Sequence, residues 1–454
     1  MGSVTYNFLA DSLFFHTNSI KNNFAKESEA RIEDELQAYR KHCIDNYENL
    51  ISEIVERDSF LKVFSSSEEM PINLLKQTAL YVDQFIVQDP LFNFTDIKSD
   101  ITNVTAKYLG YQNDAKVDRK KLQKASVFLK EITPMIAGNF VKIFPLSYHF
   151  EGPKQIPFNL PKDNYNDALP KEIMDFFRQH VSVRSMEKMK SGGWQVIEDN
   201  VYPCRSIVID FKESNFKSSM IYHLFEMEIL EFNEETGLAT FRQTLPDVPP
   251  EIDNFNTWVN QSINSASKAF FDKIFKENFI SSSLNSTYLC DNNFTSNLIS
   301  SNFIAKETIQ THAANRIINF ELPFLETLDI EKLMNVREND ADVFTNFRLE
   351  LEKQFRELRL INDPRLLKQK TENIFHELND VQVQKIKQKV NHINKQVIVN
   401  SIVGMGGLAG SFTTGGYSLL ATALAFGKGY KDYAEYKEKV KENPSYLLWK
   451  IQKK

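Results

Sequence analysis

The sequence has few cysteines, and its prolines are unevenly placed. Cys43, Cys204 and Cys290 are far apart and odd in number, which excludes a disulfide framework and a CxxC zinc site. Cysteines this sparse are typical of a protein from a reducing compartment. Nine of the fifteen prolines fall between Pro145 and Pro250. Because a proline costs about 3 kcal/mol inside a helix, the proline-poor flanks can form long helices and the middle cannot.

Familiar catalytic motifs are also missing. The chain contains no GxxxxGK[ST] phosphate loop, no HExxH and no GxSxG, and its eight histidines have no metal-ligand spacing. Its formal net charge of −6 argues against binding to nucleic acid through overall electrostatic attraction. The first residues form neither a basic nor a continuous apolar stretch, so we expect no signal peptide. We therefore expect no cofactor, no metal and no nucleic-acid partner.

What stands out is an uncharged, glycine-rich stretch near the C-terminus. No charged residue occurs among the 32 residues between Lys395 and Lys428, and seven of the fifteen glycines lie there. Upstream, no glycine occurs between Gly237 and Gly404. A long charged region therefore leads into a small-residue apolar segment.

This apolar segment has the wrong length for a simple membrane span. A single helix over Val397–Gly427 would be about 46 Å long, whereas a bilayer core needs only about 20 residues. Ser411–Gly416 has the composition of a turn, which predicts a hairpin of two short helices, Val397–Gly410 and Tyr417–Phe426. Small residues would let the two backbones approach closely: Gly404, Gly406, Gly407, Gly410, Gly415, Gly416, Ala421 and Ala425.

Two interpretations of this hairpin remain open. Lysines flank the segment on both sides, as expected of a re-entrant hairpin whose ends both face the cytosol. Each arm is also only 10–14 residues long, which suits a helix buried in the core of a soluble protein. The hairpin is therefore either a membrane-contacting element or a packed core element.

The remaining periodicities predict a mainly α fold with long-helix bundles and a small central antiparallel sheet. Apolar residues at steps of three and four predict a first helix, with the stripe Ile32, Leu36, Tyr39, Cys43, Tyr47, Ile51 and Ile54. A second helix is expected from Pro71 through Phe85, and a third from about Val117. Strand-like runs at 194–197, 205–211 and 220–245 predict the sheet, with a hairpin whose loop covers 233–237. From Glu251 the helical period returns.

These patterns predict four domains. Residues 1–140 form a helical N-terminal domain and residues 141–320 an α+β middle domain. Residues 321–396 form long charged helices, and residues 397–454 the glycine-rich hairpin and an amphipathic tail.

One catalytic pattern deserves mention. Asp199 ends a strand-like run, and Asp210-Phe-Lys212 ends the next. Nucleases of the PD-(D/E)xK type hold a divalent ion with two acidic residues on adjacent strands, beside a lysine that acts on water. The sequence resembles that layout loosely, although it lacks the Pro-Asp pair. Asp199, Asp210 and Lys212 are therefore the candidate catalytic residues if the chain is an enzyme.

Three functional hypotheses follow, in order of preference. The first is a non-enzymatic bacterial effector or sensor, cytoplasmic and peripheral to the inner membrane, whose hairpin contacts lipid at 397–427; antiviral defence is suggested by analogy. The second is a soluble interaction subunit in which the hairpin is buried, with an unknown protein partner or self-association. The third is the metal-dependent nuclease.

Overall fold

The computed structural model describes somewhat more than half of the chain. The described residues are 3–55, 61–67, 71–79, 82–95, 117–151, 169–190, 193–197, 201–214, 219–235, 238–290, 292–300, 329–339, 370 and 373. The predicted long helices at 321–396, apart from the few residues just given, and the hairpin and tail at 397–454 lie outside this part.

A four-stranded parallel sheet forms the centre of the fold. Its strands are β1 (Lys62–Ser65), β2 (Gln84–Gln88), β3 (Val141–Phe144) and β10 (Thr287–Tyr288), in the order β10-β1-β2-β3. In the register, Phe64 lies beside Ile86 and Tyr288, and Val87 lies beside Ile143. Every residue of these strands is buried, as is usual for parallel sheets covered on both faces.

Helices from the first third of the chain cover one face of this sheet. Val63, Phe85 and Val87 point into that core. The helices are α1 (Val4–Asp11), α2 (Thr17–Lys21), α3 (Glu29–Asp45), α5 (Ile72–Thr78), α6 (Arg119–Glu131) and α7 (Thr133–Ala137). Helix α4 (Tyr47–Val55) contributes Leu50 to this core and Ile54 to the core on the opposite face. Ser28 caps α3 by accepting the Arg31 amide, and Asp118 caps α6 in the same way.

The opposite face packs on elements from the middle of the chain. Phe64, Ile86 and Phe144 point into this second core, together with Phe177, Phe211 and other aromatic residues. The elements are α8 (Lys171–His180), α9 (Ile252–Ser283), α10 (Asn293–Ser300) and an antiparallel sheet of order β5-β4-β6-β7. The chain therefore passes over one face between β1 and β3 and returns over the other before β10.

The antiparallel sheet contains β4 (Val181–Lys188), β5 (Trp194–Ile197), β6 (Ser206–Phe211) and β7 (Met220–His223). Ile207, Ile209 and Phe211 of β6 face the second core. A separate two-stranded hairpin follows, β8 (Glu226–Asn233) and β9 (Leu238–Thr244). The strand-like runs at 194–197 and 205–211 are therefore confirmed. The run from Met220 is not one strand, because it is divided between β7 and β8, which belong to different sheets.

A last described helix, α11 (Ile330–Asn339), packs on the first core. The Arg337 guanidinium donates to the carbonyl oxygens of Ala79, Val82 and Asp83 and lies 4.6 Å from the centre of the Phe140 ring. Arg337 thus ties α11 to the loop that enters β2.

The prediction of a mainly α, long-helix bundle with only a small antiparallel sheet is wrong. A parallel sheet organises the fold, and two of its strands lie in the region predicted to be helical. The helix predicted from Pro71 begins as expected but ends at Thr78, and Phe85 is in β2. Strands β1 and β2 precede residue 140, whereas β3 and β10 follow it, so one sheet crosses the predicted boundary between the first two domains. The apolar stripe of the first helix is confirmed, although Asn46 divides it between α3 and α4.

Candidate functional site

The strand order of the parallel sheet reverses next to one edge, where a ligand-binding crevice is expected. From β1 the chain moves outward to β2 and then β3, whereas β10 lies on the other side of β1. The direction of winding therefore reverses between β1 and β10. In open α/β sheets, ligands bind at the carboxyl ends of the strands beside such a reversal. Ser66 follows β1 directly, and Tyr288 is the last residue of β10.

A glutamate from α9 joins these two residues. Glu277 Oε2 accepts a hydrogen bond from Ser66 Oγ at 3.0 Å and another from Tyr288 Oη at 2.7 Å. The two hydroxyl oxygens are 3.3 Å apart. The Lys273 ammonium, on the outer side of α9, lies 3.9 Å from Glu277 Oε1. We call Ser66, Glu277 and Tyr288 the crevice triad.

Burial determines the chemistry of the crevice triad. Glu277 is 2% exposed and Tyr288 4% exposed, whereas Ser66 is only partly buried and is the member that solvent reaches. Burial, with a smaller contribution from the Glu277 carboxylate, raises the pKa of the Tyr288 phenol well above its usual value. The phenol is therefore a permanent donor at physiological pH. The triad can present the Ser66 oxygen to a ligand that carries hydroxyl or amino groups, because Glu277 accepts the serine proton and leaves that oxygen free to accept.

Local sequence explains how Glu277 reaches this position. The buried side of α9 includes Phe270, Ile274, Ile280 and Ser281. Glu277 lies three residues after Ile274 and three before Ile280, so the helical period places it in the apolar stripe. A carboxylate in such a stripe requires hydrogen-bond donors, which Tyr288 and Ser66 supply.

Other polar residues at the carboxyl edge bind the protein itself. Asp89, directly after β2, is fully buried; its Oδ1 accepts the Leu91 and Phe92 amides, and its Oδ2 accepts the Tyr39 hydroxyl at 2.5 Å. Burial raises the pKa of Asp89 to about 6, although these hydrogen bonds act in the opposite direction. The desolvated carboxylate fastens α3 to the loop after β2.

Arg40 makes a second connection from α3. Its guanidinium binds both carboxylate oxygens of Glu151 at 2.5 Å, donates to Thr95, and lies 5.4 Å from the centre of the Phe92 ring. One residue of α3 therefore holds the loops that follow β2 and β3. Arg40 and Asp89 therefore form a structural bracket. Glu277 is engaged as well, but the crevice triad includes the partly exposed Ser66 and lies at the reversal in strand order, so the triad is the candidate site.

The candidate nuclease residues are only partly brought together. Asp210 in β6 and Lys212 just after it lie on the same side of that strand, because side chains alternate. The Arg184 guanidinium donates to Asp210 Oδ2 at 2.5 Å, so an ion pair already engages this carboxylate. Asp199 lies outside the described residues. Across the part of the chain that the structure describes, no three His, Cys, Asp or Glu residues are grouped to hold a metal ion.

The glycine and alanine positions predicted for the C-terminal hairpin also lie outside the described residues, so the hairpin stays a prediction. Among the helices that are described, none is long and apolar enough to cross a bilayer.

Comparison with known proteins adds no family. No protein-family model, curated protein or solved structure matches this chain. The site must therefore be judged on its own geometry.

Sequence reasoning missed the crevice triad. A signal was present in Glu277, a charged residue at an apolar-stripe position of a long helix. Ser66 and Tyr288 had no comparable signal, because their positions depend on strands of four and two residues that pair far apart in sequence.

Proposed function

We propose that this chain is a ligand-responsive binding protein whose α/β body takes up a small polar molecule at the crevice triad. The observation that carries the proposal is the buried Glu277 carboxylate beside the reversal point of the parallel sheet. In dinucleotide-binding sheets a carboxylate near such a reversal point accepts hydrogen bonds from a ribose hydroxyl. Here the partly exposed Ser66 hydroxyl, held by Glu277, would make the contact with the ligand. A nucleoside or another molecule with neighbouring hydroxyl groups fits this chemistry best.

A binding assay tests the proposal. Intact protein is heated with adenosine, guanosine, cytidine and uridine, each free and as the 5′-phosphate, and its unfolding temperature is measured. A ligand at 100 times its Kd stabilises the folded state by about 2.7 kcal/mol. Ser66→Ala should weaken that response, because Ser66 is the accessible member of the triad. Ser265→Ala is the matched control, since its hydroxyl bonds only to the Gln261 carbonyl of its own helix.

A stabilisation that is equal in the Ser66→Ala and Ser265→Ala proteins would place the ligand elsewhere. The absence of stabilisation by every compound would exclude nucleosides and their monophosphates.

We further propose that the body acts as the sensor of a non-enzymatic effector, with segment 397–427 as the part that contacts a membrane. The uncharged composition of this segment and its flanking lysines support the proposal; a role in antiviral defence rests on analogy alone. Intact protein should sediment with lipid vesicles, whereas a chain ending at Lys395 should stay soluble in the supernatant.

The same truncation addresses the interaction-subunit hypothesis. If segment 397–427 belongs to a protein core, the truncated chain should be insoluble or unfolded. The nuclease hypothesis has its own test, since it requires Mg²⁺-dependent cleavage that Asp210→Ala and Lys212→Ala both abolish.

A further inference from the structure

The β8–β9 hairpin carries apolar side chains that are exposed in the part of the chain that the structure describes. Residues Ile229 and Phe232 are 44% and 53% exposed, and Leu230 at the bulge between them is 47% exposed. Within the described part of the chain, β8 and β9 pair only with each other. An isolated two-stranded hairpin is marginal in water, so packing against another surface would stabilise it.

The register gives the hairpin two different faces. Ile229 pairs with Phe241 and Phe232 with Ala239, so these two β8 residues share one face despite the bulge. Glu228 pairs with Arg242, and Glu231 with Thr240, on the other face. The Glu228 carboxylate binds the Arg242 guanidinium at 3.2 Å, and both side chains are more than half exposed. An apolar face is thus backed by a polar one.

The hairpin is also strongly acidic. Between residues 226 and 244 it carries a single arginine and five glutamates, a net charge of −4: Glu226, Glu228, Glu231, Glu234 and Glu235. All five glutamates are exposed. A complementary partner would therefore combine apolar residues with positive charge.

The chain itself contains a segment of that composition. No acidic residue occurs from Val381 to Lys431. The segment includes the uncharged glycine-rich stretch and six lysines: Lys385, Lys387, Lys389, Lys395, Lys428 and Lys431. The 41 residues that separate Asn339 from Val381 could span about 60 Å even if all were helical, so the covalent connection permits contact with the hairpin.

Other occupants fit less well. Two copies of the hairpin placed together would bring like charges into proximity, which is unfavourable. An anionic lipid surface would repel the glutamates for the same reason. We propose that the apolar face of the β8–β9 hairpin is the docking surface for this chain's own segment 381–431. The docking does not depend on whether the segment also contacts lipid.

Site-specific photo-crosslinking in the full chain tests this docking. The photoreactive residue p-benzoylphenylalanine replaces Phe232 in one protein and Phe279 in the control. Phe279 is a matched control because it is also a phenylalanine, is 54% exposed and lies on α9 rather than on the hairpin. We expect position 232, and not position 279, to crosslink to a peptide from 381–431 within the same chain.

Any other result from position 232 overturns the proposal. A crosslinked dimer would identify a second copy as the occupant, and a crosslink to another region, or none, would exclude the segment. Equal crosslinking from positions 232 and 279 would show non-specific contact.

Charge exchange tests the electrostatic part of the argument. Glu234→Lys with Glu235→Lys changes two exposed glutamates in the turn next to Phe232 and leaves the Glu228–Arg242 pair intact. This variant should lower the crosslink yield about fivefold, as the loss of two surface ion pairs would. Adding Lys385→Glu and Lys387→Glu should restore the yield. An unchanged yield in the first variant, or no recovery in the second, would contradict docking by charge complementarity. Circular dichroism checks that each variant is folded.

Discussion

The parallel sheet and the β8–β9 hairpin both contain isoleucine and phenylalanine in their strands, but these residues are buried in the sheet and exposed in the hairpin. Strand β2 reads QFIVQ and is buried at all five positions. Strand β8 reads EMEILEFN, and its Ile229, Leu230 and Phe232 are each more than two-fifths exposed. The same residue types therefore have different roles. In β2 they hold two cores together, and in β8 they are available for contact with another surface.

This difference suggests where the two kinds of function lie. The buried sheet positions the crevice triad rigidly, because β1 and β10 are hydrogen-bonded neighbours and α9 packs across them. A hairpin whose exposed Ile229 and Phe232 belong to neither core cannot position reacting groups with the same precision. It can offer exposed backbone and apolar side chains to a partner.

The largest expected effect comes from removing one phenylalanine from each region. Phe85→Ala in β2 should lower the free energy of unfolding by about 3–5 kcal/mol, because it leaves a cavity against Phe140. Phe232→Ala in β8 should cost less, about 1 kcal/mol, because docking of segment 381–431 would cover a surface side chain that belongs to neither core. Urea unfolding monitored by circular dichroism measures both values.

A loss of more than about 2 kcal/mol in Phe232→Ala would break the comparison, since it would show that Phe232 is packed as tightly as a core side chain. If position 232 also crosslinks to segment 381–431, the loss of unfolding free energy in Phe232→Ala would measure how strongly that segment packs on the hairpin.

The next largest effect concerns the pH dependence of stability. Burial raises the pKa of Asp89 from 3.8 to about 6. Between these values the folded state binds more protons than the unfolded state, so this group's contribution to stability falls as pH rises through that window. The total loss is about 3 kcal/mol.

Asp89→Asn removes this titration while keeping a group of similar shape. The difference in unfolding free energy between the wild-type and Asp89→Asn proteins should therefore decline by about 3 kcal/mol between pH 4 and 6. Glu228→Gln, which removes a negative charge from the exposed hairpin, is the control for a general charge effect. A difference that stays constant over this range would show that Asp89 does not titrate there.

Sequence periodicity predicted those elements that have one buried face. The stripe through Ile32, Leu36, Tyr39 and Cys43 is the buried side of α3. This helix could be predicted because a core on one side and water on the other imposes the helical period.

The parallel strands lack that contrast. VKIF at β3 and TY at β10 are buried on both faces, so nothing in them alternates, and each is too short to separate from a helix segment. The crevice triad was hidden for the same reason. Glu277 and Tyr288 meet only because the end of α9 leads into β10, and Ser66 meets them only because β10 pairs with β1, more than 200 residues away.

The smallest predicted effect compares two tyrosine–glutamate hydrogen bonds. Tyr288 donates to the buried Glu277 at 2.7 Å, and Tyr202 donates to Glu187 at 2.5 Å on the surface. Tyr288→Phe leaves a buried carboxylate with one donor fewer and should lower the unfolding free energy by about 1–3 kcal/mol. Tyr202→Phe should cost about 0.5 kcal/mol or less, because water replaces the lost hydroxyl. Urea unfolding of both variants at pH 7 measures the two costs. Equal costs would show that water reaches Glu277 as freely as Glu187, and the crevice triad would then lose the desolvation on which its chemistry depends.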